Sequence, residues 1–175
     1  MKTVFLIHLF LGLMCSATNA ADTDRSLQIA IALPQNRHNE RVLSYSGGKK
    51  QFHVIVNNAT DMPKRIWQEW CSWGYFALSL ELTGNSGETW TVKKKTRVWF
   101  RNYPDYWTLG PHESLVLDVE FADGNVWDGF PRPQGVSQKF KMRAVFEIRP
   151  EEYSREHSIW TGRAVSKAEE YVFYN

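Results

Sequence analysis

Apolar residues recur at every second position in several short runs of this chain of 175 residues. In residues 27–33, 52–56, 115–121 and 140–148, the alternating apolar side chains would share one face of an extended strand. Gly, Pro, Asn and Asp separate these runs, and no segment carries the period of a long helix. The pattern predicts an all-β fold.

The spacing of the runs indicates how the strands pack. Further strands are predicted at residues 75–82, 89–92, 97–100, 159–165 and 170–174, with one helical turn within 150–157. Residues 102–107 and 124–135 are predicted to be irregular. About eight to ten short strands separated by turns are typical of two packed antiparallel sheets. We therefore expect an immunoglobulin-like antiparallel β-sandwich, with a small barrel as the alternative.

The phase of each strand predicts a core. The expected buried residues are Phe52, Val54, Val56, Phe76, Leu78, Leu80, Leu115, Leu117, Val119, Phe140, Met142, Ala144 and Phe146. Trp160 and Cys71 are expected to fill the core as well. If this phasing is correct, truncating Leu78 or Leu117 to Ala should cost about 2–5 kcal/mol of stability.

The N-terminus has the composition of a secretory signal. Lys2 precedes an apolar run over residues 4–14, and small and polar residues lead to a cleavage site after Ala20. We expect a signal at 1–20, a polar leader at 21–26 and a single domain at 27–175, in a secreted or periplasmic protein. After the signal, no apolar run approaches the roughly 18 residues that predict a transmembrane segment.

Charge and composition exclude several functions. The chain has 21 Lys and Arg against 19 Asp and Glu, which argues against a nucleic-acid partner. Its 14% aromatic content argues against disorder. No Gly-x-Ser-x-Gly, His-x-x-x-His or Cys-x-x-Cys motif occurs, so we expect no catalytic residues, no metal and no cofactor. Residues 123–125 with Asp128 are a weak alternative as a calcium loop.

Asn58-Ala59-Thr60 matches the pattern of a glycosylation sequon. It also follows a predicted strand directly, where an Asn side chain commonly closes a turn on its own backbone. The simpler interpretation is a turn that ends the strand.

Several motifs resemble a known group of domains. In order, they are Asn57-Asn58-Ala59-Thr60, residues 66–75, Lys93-Lys94-Lys95, residues 102–109, residues 141–146, and residues 159–163 with Ser166. This arrangement resembles secreted bacterial immunoglobulin-like or fibronectin-III-like domains with no assigned activity, over about 120 residues. The layout is also similar to small β-sandwich proteinase inhibitors of the BsuPI type. The first resemblance implies a fold, and the second implies a protruding inhibitory loop.

Aromatic residues are the candidate binding residues. They are Trp67, Trp70, Trp73, Tyr103, Tyr106, Trp107 and Trp127. Their rings could fill the core, or they could lie on the surface and stack on a sugar or a partner's side chains.

We expect a non-enzymatic binding or scaffolding module whose partner is a protein or an extracellular or cell-envelope glycan. The alternatives are a carbohydrate-binding module that uses exposed Trp, and a proteinase inhibitor that presents residues 102–109 or 127–134.

Overall fold

The computed structural model describes residues 25–33, 40–44, 52–120, 126–131 and 135–174. These residues form a mostly β structure, which confirms the all-β prediction. The strands are β1 Leu27–Ala32, β2 Val42–Ser44, β3 Phe52–Asn58, β4 Lys64–Trp67, β5 Leu78–Thr83, β6 Thr89–Lys94, β7 Tyr106–Leu109, β8 Ser114–Val119, β9 Trp127–Asp128, β10 Ser137–Ile148, β11 Gly162–Val165 and β12 Glu169–Tyr174. Two short helices are α1 Ser72–Tyr75 and α2 Glu152–Glu156.

The strands form three sheets. The smaller main sheet has the order β1-β3-β8, and the larger has the order β2-β12-β10-β5-β6-β9, with β11 also paired to β10. β4 and β7 form a separate pair. The pairings are antiparallel except that between β12 and β2, which is parallel. Residues from all three sheets contribute to one buried apolar cluster.

The predicted core is largely confirmed, because strand alternation places the same face of each strand inward. Val54 and Leu80 are fully buried, as are most of the residues expected on their strands. Two expectations are wrong. Phe76 is 45% exposed because it lies at the C-terminal end of α1. The alternation of buried and exposed side chains therefore begins only at Leu78, the first residue of β5. Leu115 is partly buried, and it packs against the margin of the cluster.

Other element predictions need correction. The predicted strand at 97–100 is irregular. Residues 106–109 form β7, although residues 106 and 107 belong to a segment predicted to be irregular. The predicted strand at 75–82 begins at Leu78 because residues 72–75 form α1, and the long loop at 124–135 contains β9. The described residues contain twelve strands rather than eight to ten, since several have two to four residues.

Some smaller expectations are confirmed. Cys71 is buried with a free thiol, and Trp160 is buried with its Nε1 donating to Ser26 Oγ at 2.9 Å. α2 lies within the predicted helical turn. The predicted signal and the calcium-loop alternative at 123–125 lie outside the described residues.

Across the described part of the chain, no helix has the length and apolar character needed to cross a membrane.

Asn58 joins the end of β3 to two neighbouring turns. Its side chain is fully buried, and Nδ2 donates to the carbonyl oxygens of Met62 at 2.9 Å, Leu109 at 3.2 Å and Gly110 at 2.9 Å. Its Oδ1 accepts from Thr60 N at 3.1 Å and Thr60 Oγ1 at 2.8 Å. The predicted Asx-type turn is therefore confirmed, and the amide of the sequon is enclosed by the folded chain.

Candidate binding site

The short connection from β4 to α1 positions one exposed indole. Gln68 N donates to Asp105 O at 2.9 Å, and Cys71 N donates to Gln68 O at 3.3 Å, so the chain turns sharply beside the segment that leads into β7. Trp70 lies on the outside of this turn, with 57% of its surface exposed. The buried Cys71 next to it anchors the turn in the core.

Gly74 allows α1 to pack against this turn. A Cβ at Gly74 would lie 2.7 Å from the Gln68 carbonyl carbon and 2.8 Å from that of Trp67, and closer still to Gln68 O. Because these are backbone atoms, a side chain could fit only if α1 or the turn moved.

We expect Gly74→Ala to cost about 1–3 kcal/mol, as insertion of a methyl group into a packed site usually does. Gly87→Ala is the control, because Gly87 has a positive φ of 89° but nothing within 4 Å of its Cβ. Its cost should be limited to backbone strain of about 1–2 kcal/mol. Urea unfolding measures both costs, and emission from Trp70 should change in Gly74→Ala alone. Unchanged emission with unchanged stability in Gly74→Ala would contradict this account of the turn.

Trp70 is fixed at its edges. Its Nε1 donates to Asp105 Oδ2 at 3.2 Å, and its ring meets Trp107 edge-to-face with centroids 5.1 Å apart. Asp105 Oδ1 in turn accepts from Tyr106 N at 2.9 Å. A ring held in this way loses little freedom on binding, which favours its use as a stacking surface.

Trp70 stands at the rim of a groove of about 370 Å³. The groove combines aromatic rings with charges of both signs. Its lining includes Trp70, Tyr75 and Trp127, the carboxylates Glu69, Asp118 and Glu120, and the cations Lys94 and Arg97. Small-molecule sites commonly combine apolar surface with a few polar groups in this way.

Lys94 lies between an acid and an aromatic ring of the groove. Its Nζ lies 3.4 Å from Glu69 Oε2 and 4.8 Å from the centre of the Tyr75 ring. Burial lowers the pKa of Lys94, and attraction to Glu69 opposes that shift. On the other side of the groove, Asp118 Oδ1 is 2.8 Å from His53 Nδ1.

Among the described residues, no group of three or more His, Cys, Asp or Glu side chains is placed to hold a metal ion. The groove therefore offers stacking and hydrogen bonding from its rings, carboxylates and cations.

The structure separates the predicted aromatic residues into different environments. Trp67 is buried, with ring centroids 6.0 Å from Trp73 and 6.5 Å from Tyr106, so it packs inside the fold and is unavailable to a surface ligand. Trp73 and Tyr106 are partly buried against the core. None of these three residues lines the groove beside Trp70.

Trp70 and Trp107 meet at the surface, and Trp127 lies at the groove although nearly all of its ring is buried. Tyr103 is exposed, and it is absent from the lining of this groove. The structure thus brings Trp70, Trp107 and Trp127 to one region of the surface.

Sequence reasoning missed Lys94. By sequence alone, the run Lys93-Lys94-Lys95 is typical of a solvated edge or loop. On β6, however, Lys94 is in phase with Trp90 and the buried Val92, so its stem follows the inner face of the sheet. The alternation of Trp90, Val92 and Lys94 in the sequence could therefore have indicated that Lys94 lies on the inner face of the strand. The carboxylates come from distant parts of the chain, and only the fold brings them together.

A second groove of about 580 Å³ lies between α1 and the outer face of the large sheet. Its lining includes Trp73 and Phe76, but also the short side chains Ala77, Ser79 and Thr91. Although this groove is larger, none of its lining is an exposed indole held at its edges. The smaller groove is therefore the better candidate.

The segments suggested as inhibitory loops are partly held in strands. Residues 106–109 of the first segment form β7, which pairs with β4. In the second segment, residues 127 and 128 form β9, and residues 132–134 lie outside the described chain. Neither segment protrudes along its whole described length as a free loop.

No family model, curated protein or solved structure matches this chain.

Proposed function

We propose that the protein is a secreted or periplasmic, non-enzymatic binding module, and that it binds a glycan in the groove beside Trp70. The observation that carries the proposal is an indole that is largely exposed but fixed at its edges, at the rim of a groove with both carboxylates and cations. A sugar ring has an apolar face that can stack on indole and a polar edge that needs hydrogen bonds.

The order of the strands supports an immunoglobulin-like sandwich as the scaffold. In that fold, strands A, B and E lie in one sheet, while C, F and G lie in the other, which is extended by C′ in variable-type domains. The order β1-β3-β8 corresponds to A-B-E, and β12-β10-β5-β6 corresponds to G-F-C-C′. β9 departs from this pattern, because it follows β8 in the chain but pairs with β6 in the other sheet.

The dimensions and charge of the groove define the ligand further. A volume near 370 Å³ lies at the lower end of the range for small-molecule sites, enough for about one or two sugar rings. Three carboxylates and two cations line it, and the Glu69–Lys94 pair is internally balanced. A neutral sugar therefore suits the groove better than a strongly charged one.

Replacement of Trp70 tests the proposal. The secreted chain is titrated calorimetrically with soluble neutral oligosaccharides of glucose, mannose, xylose and N-acetylglucosamine. We expect saturable binding of one class, and Trp70→Ala should weaken it by about 5–150-fold because stacking on one indole contributes about 1–3 kcal/mol. Glu120→Gln, which keeps the shape of the side chain, should weaken binding by removing a charged acceptor.

Phe76→Ala is the matched control, since Phe76 is a half-exposed aromatic residue of the larger groove. Thermal unfolding of each variant verifies that it is folded. Loss of binding in Phe76→Ala with none in Trp70→Ala would place the ligand in the larger groove and refute this site. If none of the four classes of oligosaccharide binds, the proposal that the ligand is a glycan is refuted.

A further inference from the structure

The irregular segment between β6 and β7 carries the most exposed large apolar residue of the described chain, Phe100. We call residues 97–103 the aromatic loop. Phe100 is 97% exposed and Val98 is 75% exposed, and Tyr103 is equally open. Large apolar side chains exposed within so few residues of one another commonly mark a surface with a binding role.

The base of this loop is fixed to the fold. The Trp99 ring lies 5.4 Å from that of Tyr75, and the Arg97 guanidinium lies 4.4 Å above the Trp99 ring. Asn102 Oδ1 accepts from Ser72 N at 2.9 Å, and Asn102 Nδ2 donates to Ser72 Oγ at 2.7 Å. Trp99 and Asn102 therefore tether the loop on either side of Phe100, whose own side chain is almost fully exposed.

The charge of the segment has a single sign. Residues 93–101 contain five cations and no acid, namely Lys93, Lys94, Lys95, Arg97 and Arg101. Lys94 turns toward Glu69 in the groove, whereas Lys93, Arg97 and Arg101 are exposed. The nearest acid that follows in the chain, Asp105, already accepts from Trp70 Nε1 and Tyr106 N.

We propose that the aromatic loop docks on an anionic lipid bilayer. Phe100 and Val98 would enter the interface, Tyr103 and Trp99 would lie at the level of the headgroups, and Arg97 and Arg101 would contact lipid phosphates. Apolar and aromatic side chains beside Lys and Arg are the composition that binds such interfaces, through apolar burial and attraction to negative headgroups. Arg97 also lines the glycan groove, whereas Val98, Phe100 and Arg101 do not, so this role does not depend on a ligand in that groove.

A bilayer suits this surface better than a protein pocket does. The exposed apolar side chains and the exposed cations lie within the same short segment, so both can meet a flat anionic interface at once. Protein hot spots, in contrast, usually lie at the centre of a patch whose rim excludes water.

Co-sedimentation with vesicles tests the proposal. The secreted chain is mixed with vesicles of 30% phosphatidylglycerol in phosphatidylcholine, and with vesicles of phosphatidylcholine alone. We expect binding to the anionic vesicles only, weakened as salt is raised because the Debye length falls from about 10 Å at 0.1 M to about 3 Å at 1 M. Phe100→Ala should reduce the partition coefficient about tenfold.

Paired variants locate the contact. Val98→Ala and Arg101→Gln should each weaken binding, whereas their counterparts elsewhere on the surface, Val116→Ala and Arg155→Gln, should not. Because all comparisons use the same chain, any retained part of residues 1–20 contributes equally to each variant. Trp70→Ala should keep its lipid binding, which separates this result from the glycan test.

Lipids brominated on the acyl chain give an independent measurement. They should quench part of the tryptophan emission, and Trp99→Phe should remove most of that quenching. No binding to anionic vesicles, equal binding to both vesicle types, or full binding by Phe100→Ala would each overturn the proposal.

Discussion

Asn58→Asp should destabilise the protein by about 3–5 kcal/mol at neutral pH, although the two side chains have nearly the same shape. The buried Asn58 amide donates to three carbonyl oxygens, from Met62, Leu109 and Gly110. A carboxylate donates to none of them, and it places a negative charge against their lone pairs. Gly110 O keeps Glu113 N as a donor and Met62 O keeps Thr60 Oγ1, so the cost comes chiefly from the uncompensated buried charge, about 3–5 kcal/mol.

The effect of this substitution should depend on pH. Burial and the three carbonyl dipoles favour the neutral acid, so the folded-state pKa of the new carboxyl group would exceed its unfolded value of about 3.9. Its contribution to stability is then most favourable below the unfolded pKa and is lost as pH rises through the folded pKa. The difference in unfolding free energy from the parent protein should therefore grow between pH 3 and pH 7.

Asn57→Asp is the matched control, because Asn57 is the neighbouring residue and is partly open to solvent. Its Nδ2 donates to His112 O at 3.1 Å and to Ser114 Oγ at 3.0 Å, where water can substitute. We expect a loss of about 1 kcal/mol. Urea unfolding over a series of pH values measures both variants. Equal losses for both variants, without a trend in pH, would show that Asn58 is not the buried junction described above.

Leu117→Ala and Leu78→Ala should each cost about 2–5 kcal/mol, because each leaves a cavity in the shared core. Val116→Ala is the control, since Val116 precedes Leu117 on β8 but is 55% exposed. Its cost should be below about 0.5 kcal/mol, as for most surface substitutions. Guanidinium unfolding of the three variants gives the comparison. A larger loss for Val116→Ala than for Leu117→Ala would reverse the assigned faces of β8.

The long strands could be predicted from the sequence because burial on one face leaves a period of two, as in β3 and β10. α1 and β7 have four residues each, too few to show a period, and the exposure of Phe76 follows from α1. Pairing of distant strands also lies beyond local patterns. The separate pair of β4 with β7 is an example, and it holds Trp107 near Trp70.

The candidate site was predictable in part. The aromatic residues Trp70, Trp107 and Trp127 stand out by composition, and the structure places them in one region. Whether an indole is core or surface depends on packing between elements, and here Trp67 is enclosed while Trp70, three residues later, is exposed. Glu69 and Asp118 are ordinary surface acids in the sequence. Their proximity to Lys94 depends on the fold.

In the part of the chain that the structure describes, the large sheet ends at both edges in very short strands, three residues in β2 and two in β9. A strand from a second molecule would find little straight backbone to pair with at either edge, and the ladder could not extend far. Short edges of this kind oppose the edge-to-edge polymerisation to which flat, long-edged sheets are prone.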